Sequence, residues 1–183
     1  MSEQTFIALF RGINVGGNNL IRMAELKALF GELGFLHAQT YVQSGNVVFR
    51  AAATGNQALA NSISTAVETR FGFAPHIIVR SAAEWDEIVA ANPFPDYNIA
   101  KNLHAYILDA EPAVAMTEEL AARPRVAGEY VIRGRVLYLY TPEGLLKSNL
   151  PALLERTLRV PMTARNWNTV LALESMARQA TAG

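Results

Sequence analysis

The apolar positions change their period several times along this chain, and each change marks an element. Phe6 to Phe10 is an unbroken apolar run that stops at Arg11, the length of a strand. Met23, Leu26, Leu29, Phe30 and Leu33 then recur near helical spacing, and Gly34 follows as a stop. Gln39 to Gln43 and Val47 to Arg50 read as two strands joined across Ser44-Gly45-Asn46, a tight hairpin signal. Thr54 with Gln57 forms a capping box before a helix with Leu59, Ile63, Ala66, Val67 and Phe71 inward, ended by Gly72. His76 to Arg80 is the next strand. Ser81 with Glu84 is a second capping box, opening a helix that turns Trp85, Ile88 and Val89 inward and stops at Asn92-Pro93.

The second half repeats this order. Leu103 to Leu108 is a strand, and Pro112 suits the first turn of a helix running to about Ala122. Glu129 to Ile132 and Val136 to Tyr140 are strands around Arg133-Gly134. Ser148-Asn149 can cap a helix with Leu150, Leu153, Leu154 and Leu158 inward. Pro161 to Ala164 is a short strand, and Asn166 can cap a last helix carrying Trp167, Val170, Leu171 and Ala177. Each half therefore follows the split βαβ order. The fold class is α+β, with two tandem ferredoxin-like subdomains, residues 1–92 and 93–183, and a helix after each. Residues 93–101, PFPDYNIAK, read as a linker. The halves barely match in sequence, yet their element order points to a tandem duplication.

Composition narrows the function classes. The 183 residues suffice for a buried core without staples, and the absence of cysteine removes disulfides, thiolate metal sites and a cysteine nucleophile. Sixteen basic and sixteen acidic side chains leave net charge zero, so generic nucleic-acid binding by counterion release has little to work with. No basic stretch followed by a long apolar run opens the chain, and no segment approaches membrane-spanning length. The expected compartment is the cytoplasm. His37, His76 and His104 are isolated, and no metal site is expected.

The loop after the first strand is the densest chemistry: Arg11 to Asn19 holds Gly12, Gly16 and Gly17 with Asn14, Asn18 and Asn19. Its spacing is not that of a P-loop and no lysine follows. A set of N–H groups for an anion, with Arg11 as fork donor, is the functional reading; a long turn that needs its glycines is the plain one.

Four stretches carry a family likeness. RGINVGGNN, the MAELKALFGELGF helix, TYVQSGNVVF and TARNWNTV resemble domain-of-unknown-function family 1697, over nearly the whole chain. The resemblance implies two tandem ferredoxin-like subdomains and no assigned activity or cofactor. Where relatives often carry lysine, this chain has Asn18-Asn19-Leu20.

Topology extends the site. In a split βαβ unit the first loop and the first hairpin open at one end of the sheet, bringing Arg11, Gly12, Asn14, Gly16 and Gly17 beside Gln43, Ser44 and Asn46. Lys147, Ser148 and Asn149, with Arg165, Asn166 and Asn168, carry the polar motifs of the second half. A polar cleft between the subdomains, binding a small anionic or phosphorylated ligand, is the leading expectation. The alternatives are an enzyme working on such a ligand, with Lys147 as acid or base, and a nucleic-acid or protein adaptor. The adaptor would use Arg123, Arg125, Arg133 and Arg135 with Tyr138 and Tyr140. Simple capping is the plain reading of Ser148, Asn149 and Asn166, and core packing that of Trp167.

Overall fold

The computed structural model describes residues 3–95, 102–122, 128–145 and 150–183. Among the described residues the elements follow in the order β1 (Glu3–Phe10), α1 (Met23–Glu32), β2 (Leu36–Tyr41), β3 (Asn46–Ala52), α2 (Asn56–Phe71), β4 (Ile77–Ser81), α3 (Ala82–Ala90), β5 (Leu103–Leu108), α4 (Val114–Ala121), β6 (Glu129–Arg133), β7 (Val136–Tyr140), α5 (Leu150–Leu158), β8 (Met162–Asn166) and α6 (Trp167–Ala182). The strands form two antiparallel sheets, ordered β2-β3-β1-β4 and β6-β7-β5-β8. This is the ferredoxin-like order, present in both halves. The chain groups into two compact units, Met1–Glu87 with Ala172–Gly183, and Ile88–Leu171.

In the first unit, β1 is apolar on consecutive residues because both of its faces are buried. Phe6, Ala8 and Phe10 join Phe49, Ile77 and Val79 in a core closed by Leu26, Phe30, Ile63 and Val67 of α1 and α2. Phe30 anchors it, meeting the Phe49 ring edge-on at 5.1 Å. Thr5, Ile7, Leu9, Val48, Ile78 and Arg80 fall on the opposite face by strand alternation and are also buried. There the Thr181 hydroxyl of the C-terminal helix meets the Thr5 hydroxyl at 2.8 Å.

The second unit is built alike. Tyr106, Leu108, Leu137, Leu139 and Met162 pack under Leu120 of α4 and Leu150, Leu154 and Leu158 of α5. On its other face Tyr138 donates to the Ile88 carbonyl at 2.8 Å and lies 6.2 Å from the Trp167 ring. Trp167 is thus a core residue. Tyr138 is buried and is not presented for base stacking.

The two units match bond for bond at several points. Phe10 N–H donates to Gly45 and Arg11 N–H to His76; Leu108 N–H donates to Arg135 and Asp109 N–H to Pro161, all at 2.9 Å. Ile7 pairs with Arg80 and Ala105 with Arg165, so a buried arginine occupies the same register position in β4 and in β8. Each arginine donates through Nη1 to the carbonyl of the preceding residue, Val79 or Ala164. The next residue caps the following helix in both: Ser81 accepts from Glu84 N–H, and Asn166 from Thr169 N–H.

Four local expectations are corrected. Thr54 makes no side-chain cap for α2; Gly55, at φ 95°, turns the chain into the helix instead. Pro112 precedes α4 rather than lying in its first turn, since the cap is Ala113. Leu171 is exposed, because the buried stripe of α6 runs through Trp167, Val170, Leu173, Ala177 and Ala180. The first hairpin pairs Tyr41 with Asn46 and so leaves Val42 to Gly45 as a four-residue loop, with Gln43 in the turn and Asn46 in the strand. The linker residues 96–101, Arg123, Arg125 and the cap Ser148-Asn149, with Lys147, lie outside the described residues.

Candidate functional site

The polar rim of the first unit starts where β1 leaves its ladder. Arg11 still donates its N–H to His76, but Gly12, at φ 72°, swings the chain away. Ile13 turns back into the core and lies beneath Gly45. A Cβ at Gly45 would come within 2.5 Å of the Ile13 Cδ1 and 2.7 Å of the Phe10 Cβ, so this glycine is required by close approach. The loop and the hairpin are therefore packed against each other.

Asn14 locks them. Its backbone sits at φ 55°, a left-handed conformation asparagine tolerates. Its Nδ2 donates to the Ile21 carbonyl at 3.0 Å and to the Gln43 carbonyl at 2.9 Å, and its Oδ1 accepts from the Ile21 N–H at 2.8 Å. Asn19 reinforces the lock, accepting from Asn14 N–H at 3.2 Å and donating through Nδ2 to the Gly12 carbonyl at 3.3 Å. Between these clamps Val15 and Asn18 bridge across a two-residue turn in which Gly16 and Gly17 both have positive φ. That is the primed turn a tight hairpin favours. Beside Gly12, Gly16 and Gly17 a Cβ would meet nothing within 4 Å, which leaves their backbone approachable from solvent.

On the hairpin, Gln43 and Ser44 are exposed. Asn46 is not: it is fully buried, and its Nδ2 donates to the Tyr41 carbonyl at 2.9 Å and to the Ser44 hydroxyl at 3.1 Å. Thus Arg11, Gly12, Asn14, Gly16, Gly17, Gln43 and Ser44 share one end of the sheet, with Asn14 and Asn46 engaged as its internal fastenings. Sequence reasoning passed over the apolar members of this rim. Val15, Leu20 and Val42 are 64%, 66% and 50% exposed, and Val42 holds a φ of 51°, an unusual conformation for a β-branched residue. Their signal was apolar residues beside glycine and asparagine with no helical or strand period to absorb them.

In the second unit the candidate residues divide. Arg165 is buried, donates to the Thr163 hydroxyl and the Ala164 carbonyl at 2.8 Å, and is pushed down to about 10 by that burial, which leaves it charged at neutral pH. Asn166 is exposed and serves as the α6 cap; Asn168 is exposed on the first turn of that helix. Lys147, Ser148 and Asn149 are outside the described residues. Arg80, which the sequence marks only as the end of a strand, is also buried. Burial pushes His104 down from the usual imidazole range, against a smaller upward pull from Asn102. Among the described residues no group of three or more His, Cys, Asp or Glu could hold a metal ion, and no helix is long and apolar enough to cross a membrane.

The family model described as protein of unknown function (DUF1697) matches residues 3–138. This chain belongs to the DUF1697 family. The match spans the glycine loop and the first hairpin and ends within β7. The fold is similar to that of the conserved bacterial protein SP0830 from Streptococcus pneumoniae, with a TM-score of 0.73 at 20% identity over 96% of this chain and 99% of that one. That likeness in fold covers both units. No curated protein matches the sequence.

Proposed function

We propose that this DUF1697 protein binds a small anionic or phosphorylated ligand at the rim formed by Arg11 to Asn19 and Val42 to Gly45. The observation that carries the reading is the Asn14 clamp, which ties the glycine loop to the hairpin before any ligand arrives. A rim ordered in advance loses little conformational freedom on binding. Arg11 supplies a guanidinium, Gln43 an amide, Ser44 a hydroxyl, and the glycine backbones allow close approach. Val15, Leu20 and Val42 flank these groups and suit a ligand whose anionic group is attached to an apolar body. The proposal is drawn from the first unit, since Arg165 is buried and Asn166 caps a helix. The matched hydrogen bonds and registers of the two units also support descent from one duplicated unit.

Thermal shift against inorganic phosphate, pyrophosphate and a nucleoside monophosphate tests the binding. A ligand at 100 times its Kd adds about 2.7 kcal/mol, a readily measured rise in Tm. The rise is expected for at least one compound and is lost in Arg11→Ala. No rise with any of them, or a full rise in the variant, contradicts the proposal.

A further inference from the structure

Among the described residues six large hydrophobic side chains are exposed, and three of them, Val15, Leu20 and Val42, stand at one place. Asn14 bonds to Ile21 and Gln43. Val15 follows Asn14, Leu20 precedes Ile21 and Val42 precedes Gln43, so all three surround one clamp. The other three, Leu36, Val114 and Leu171, are scattered singly over β2, α4 and α6, as is ordinary for a protein surface. The cluster is held open rather than folded in. Val15 to Leu20 are six consecutive exposed residues around the Gly16-Gly17 turn. Val42 stays exposed at a φ of 51°, a conformation that a β-branched residue avoids and that marks ligand-contacting segments more often than plain turns.

The charge carried by the loop and the hairpin has one sign. Residues 4–24, 33–67 and 69–83 contain no Asp or Glu, and they include the glycine loop, the hairpin and His76, which receives the Arg11 N–H. Arg11 and Arg22, one at each end of the glycine loop, are both exposed. Apolar side chains flanked by cations match the surface of an anionic bilayer. The apolar groups enter between the lipids while guanidinium groups meet the phosphates. Three side chains on a turn fall far short of the roughly 800 Å² per partner of a stable protein interface, so the patch suits a bilayer better than a folded partner. We propose that this end of the first unit docks on an anionic phospholipid surface, with Val15, Leu20 and Val42 inserted and Arg11 and Arg22 at the headgroups. The inference rests on the reading that the rim receives a phosphate, and makes a lipid headgroup its source. Two cations and three short side chains give a reversible contact, not an anchor.

Co-sedimentation of the full chain with vesicles tests this. With vesicles of equal parts phosphatidylcholine and phosphatidylglycerol the protein is expected in the pellet, and with phosphatidylcholine alone in the supernatant. Added salt is expected to weaken the pelleting. Leu20→Gln is expected to weaken the partition roughly tenfold, from the loss of one inserted apolar side chain, and Arg22→Gln about fivefold. Leu20 and Arg22 are exposed, so neither change threatens the fold. Trp85 and Trp167 are buried, so a Leu20→Trp variant reports on the patch, and its emission is expected to shift to the blue with the mixed vesicles only. No pelleting with the mixed vesicles, equal pelleting with both compositions, full pelleting of Leu20→Gln, or an unshifted emission overturns the proposal. Self-association without lipid that is lost in Leu20→Gln would seat a second copy on the patch and overturn it too. The two readings fail separately. Saturable binding of inorganic phosphate at the rim without vesicle binding overturns the docking and leaves a soluble phosphorylated ligand, whereas absence of both overturns both.

Discussion

The Asn14 side chain donates to the Gln43 carbonyl at 2.9 Å, joining the loop after β1 to the hairpin before β3 across 29 positions of sequence. The same amide group holds Ile21 by two further bonds, so one residue fixes the loop at its start, at its end and against its neighbour. Replacement by alanine removes three hydrogen bonds and leaves a left-handed backbone that alanine disfavours. Asn14→Ala is expected to cost about 2–4 kcal/mol, from net bond values near 1 kcal/mol each and about 1 kcal/mol for the conformation. Urea unfolding measures it; a loss below about 0.5 kcal/mol, the level of an ordinary surface change, would show that the clamp is incidental.

Gly45 and Gly16 separate two reasons for glycine. Both have positive φ, but only Gly45 has neighbours that a Cβ would strike. Gly16→Ala is expected to cost about 1 kcal/mol from the left-handed conformation alone. Gly45→Ala must in addition displace Ile13 and Phe10, and is expected to cost about 3 kcal/mol or more, overpacking added to strain. Equal losses in the two variants would contradict the packed loop-hairpin contact.

Glu84 links stability to acid. Burial pushes its carboxyl up, but the Ser81 N–H, the Asn56 amide, the Ser81 hydroxyl and the charge of Arg80 outweigh it and hold it below the usual 4.5. The folded pKa is thus the lower one. The stabilisation is fully present above the unfolded value near 4.5 and is lost as pH falls through the folded value. Denaturant midpoints of the wild type and Glu84→Gln should therefore differ most at neutral pH and converge in acid. A gap that stays constant below pH 4.5 would refute this assignment.

Tyr106 and Tyr138 are both pushed up to about 12, Tyr106 by burial with the Glu155 charge added, Tyr138 by burial against the opposing charge of Arg133. Phenolate absorbance up to about pH 11, a unit above the free phenol, should be the same in the wild type, Tyr106→Phe and Tyr138→Phe. A missing phenolate signal in either variant below that pH would mean that the ring is solvated.

The sequence carried the architecture because periodicity reports burial. Phe6 to Phe10 reads as an apolar strand, which the structure buries on both faces, and Ser81 with Glu84 forms the expected capping box. The shared end of loop and hairpin followed from strand order alone. What the sequence concealed were the long-range uses of polar groups. Asn14 and Asn46 look like ligand amides until their partners, Ile21, Gln43, Tyr41 and Ser44, are known. Arg80 and Arg165 look like exposed strand ends, yet the register places both on a buried face. Thr54 offers a good cap that Gly55 supersedes, because the chain needs a positive φ there. Exposed Val15, Leu20 and Val42 follow no period, so no pattern could assign them.

A rim that receives an anion must register it at its own amides. Amide chemical shifts of the labelled full chain, titrated with inorganic phosphate, test it most directly. Saturable shifts are expected at the backbone N–H groups of Gly12, Gly16, Gly17, Gln43 and Ser44, and are expected to be lost in Arg11→Ala. Shifts confined to other residues, or none at these five, would contradict it.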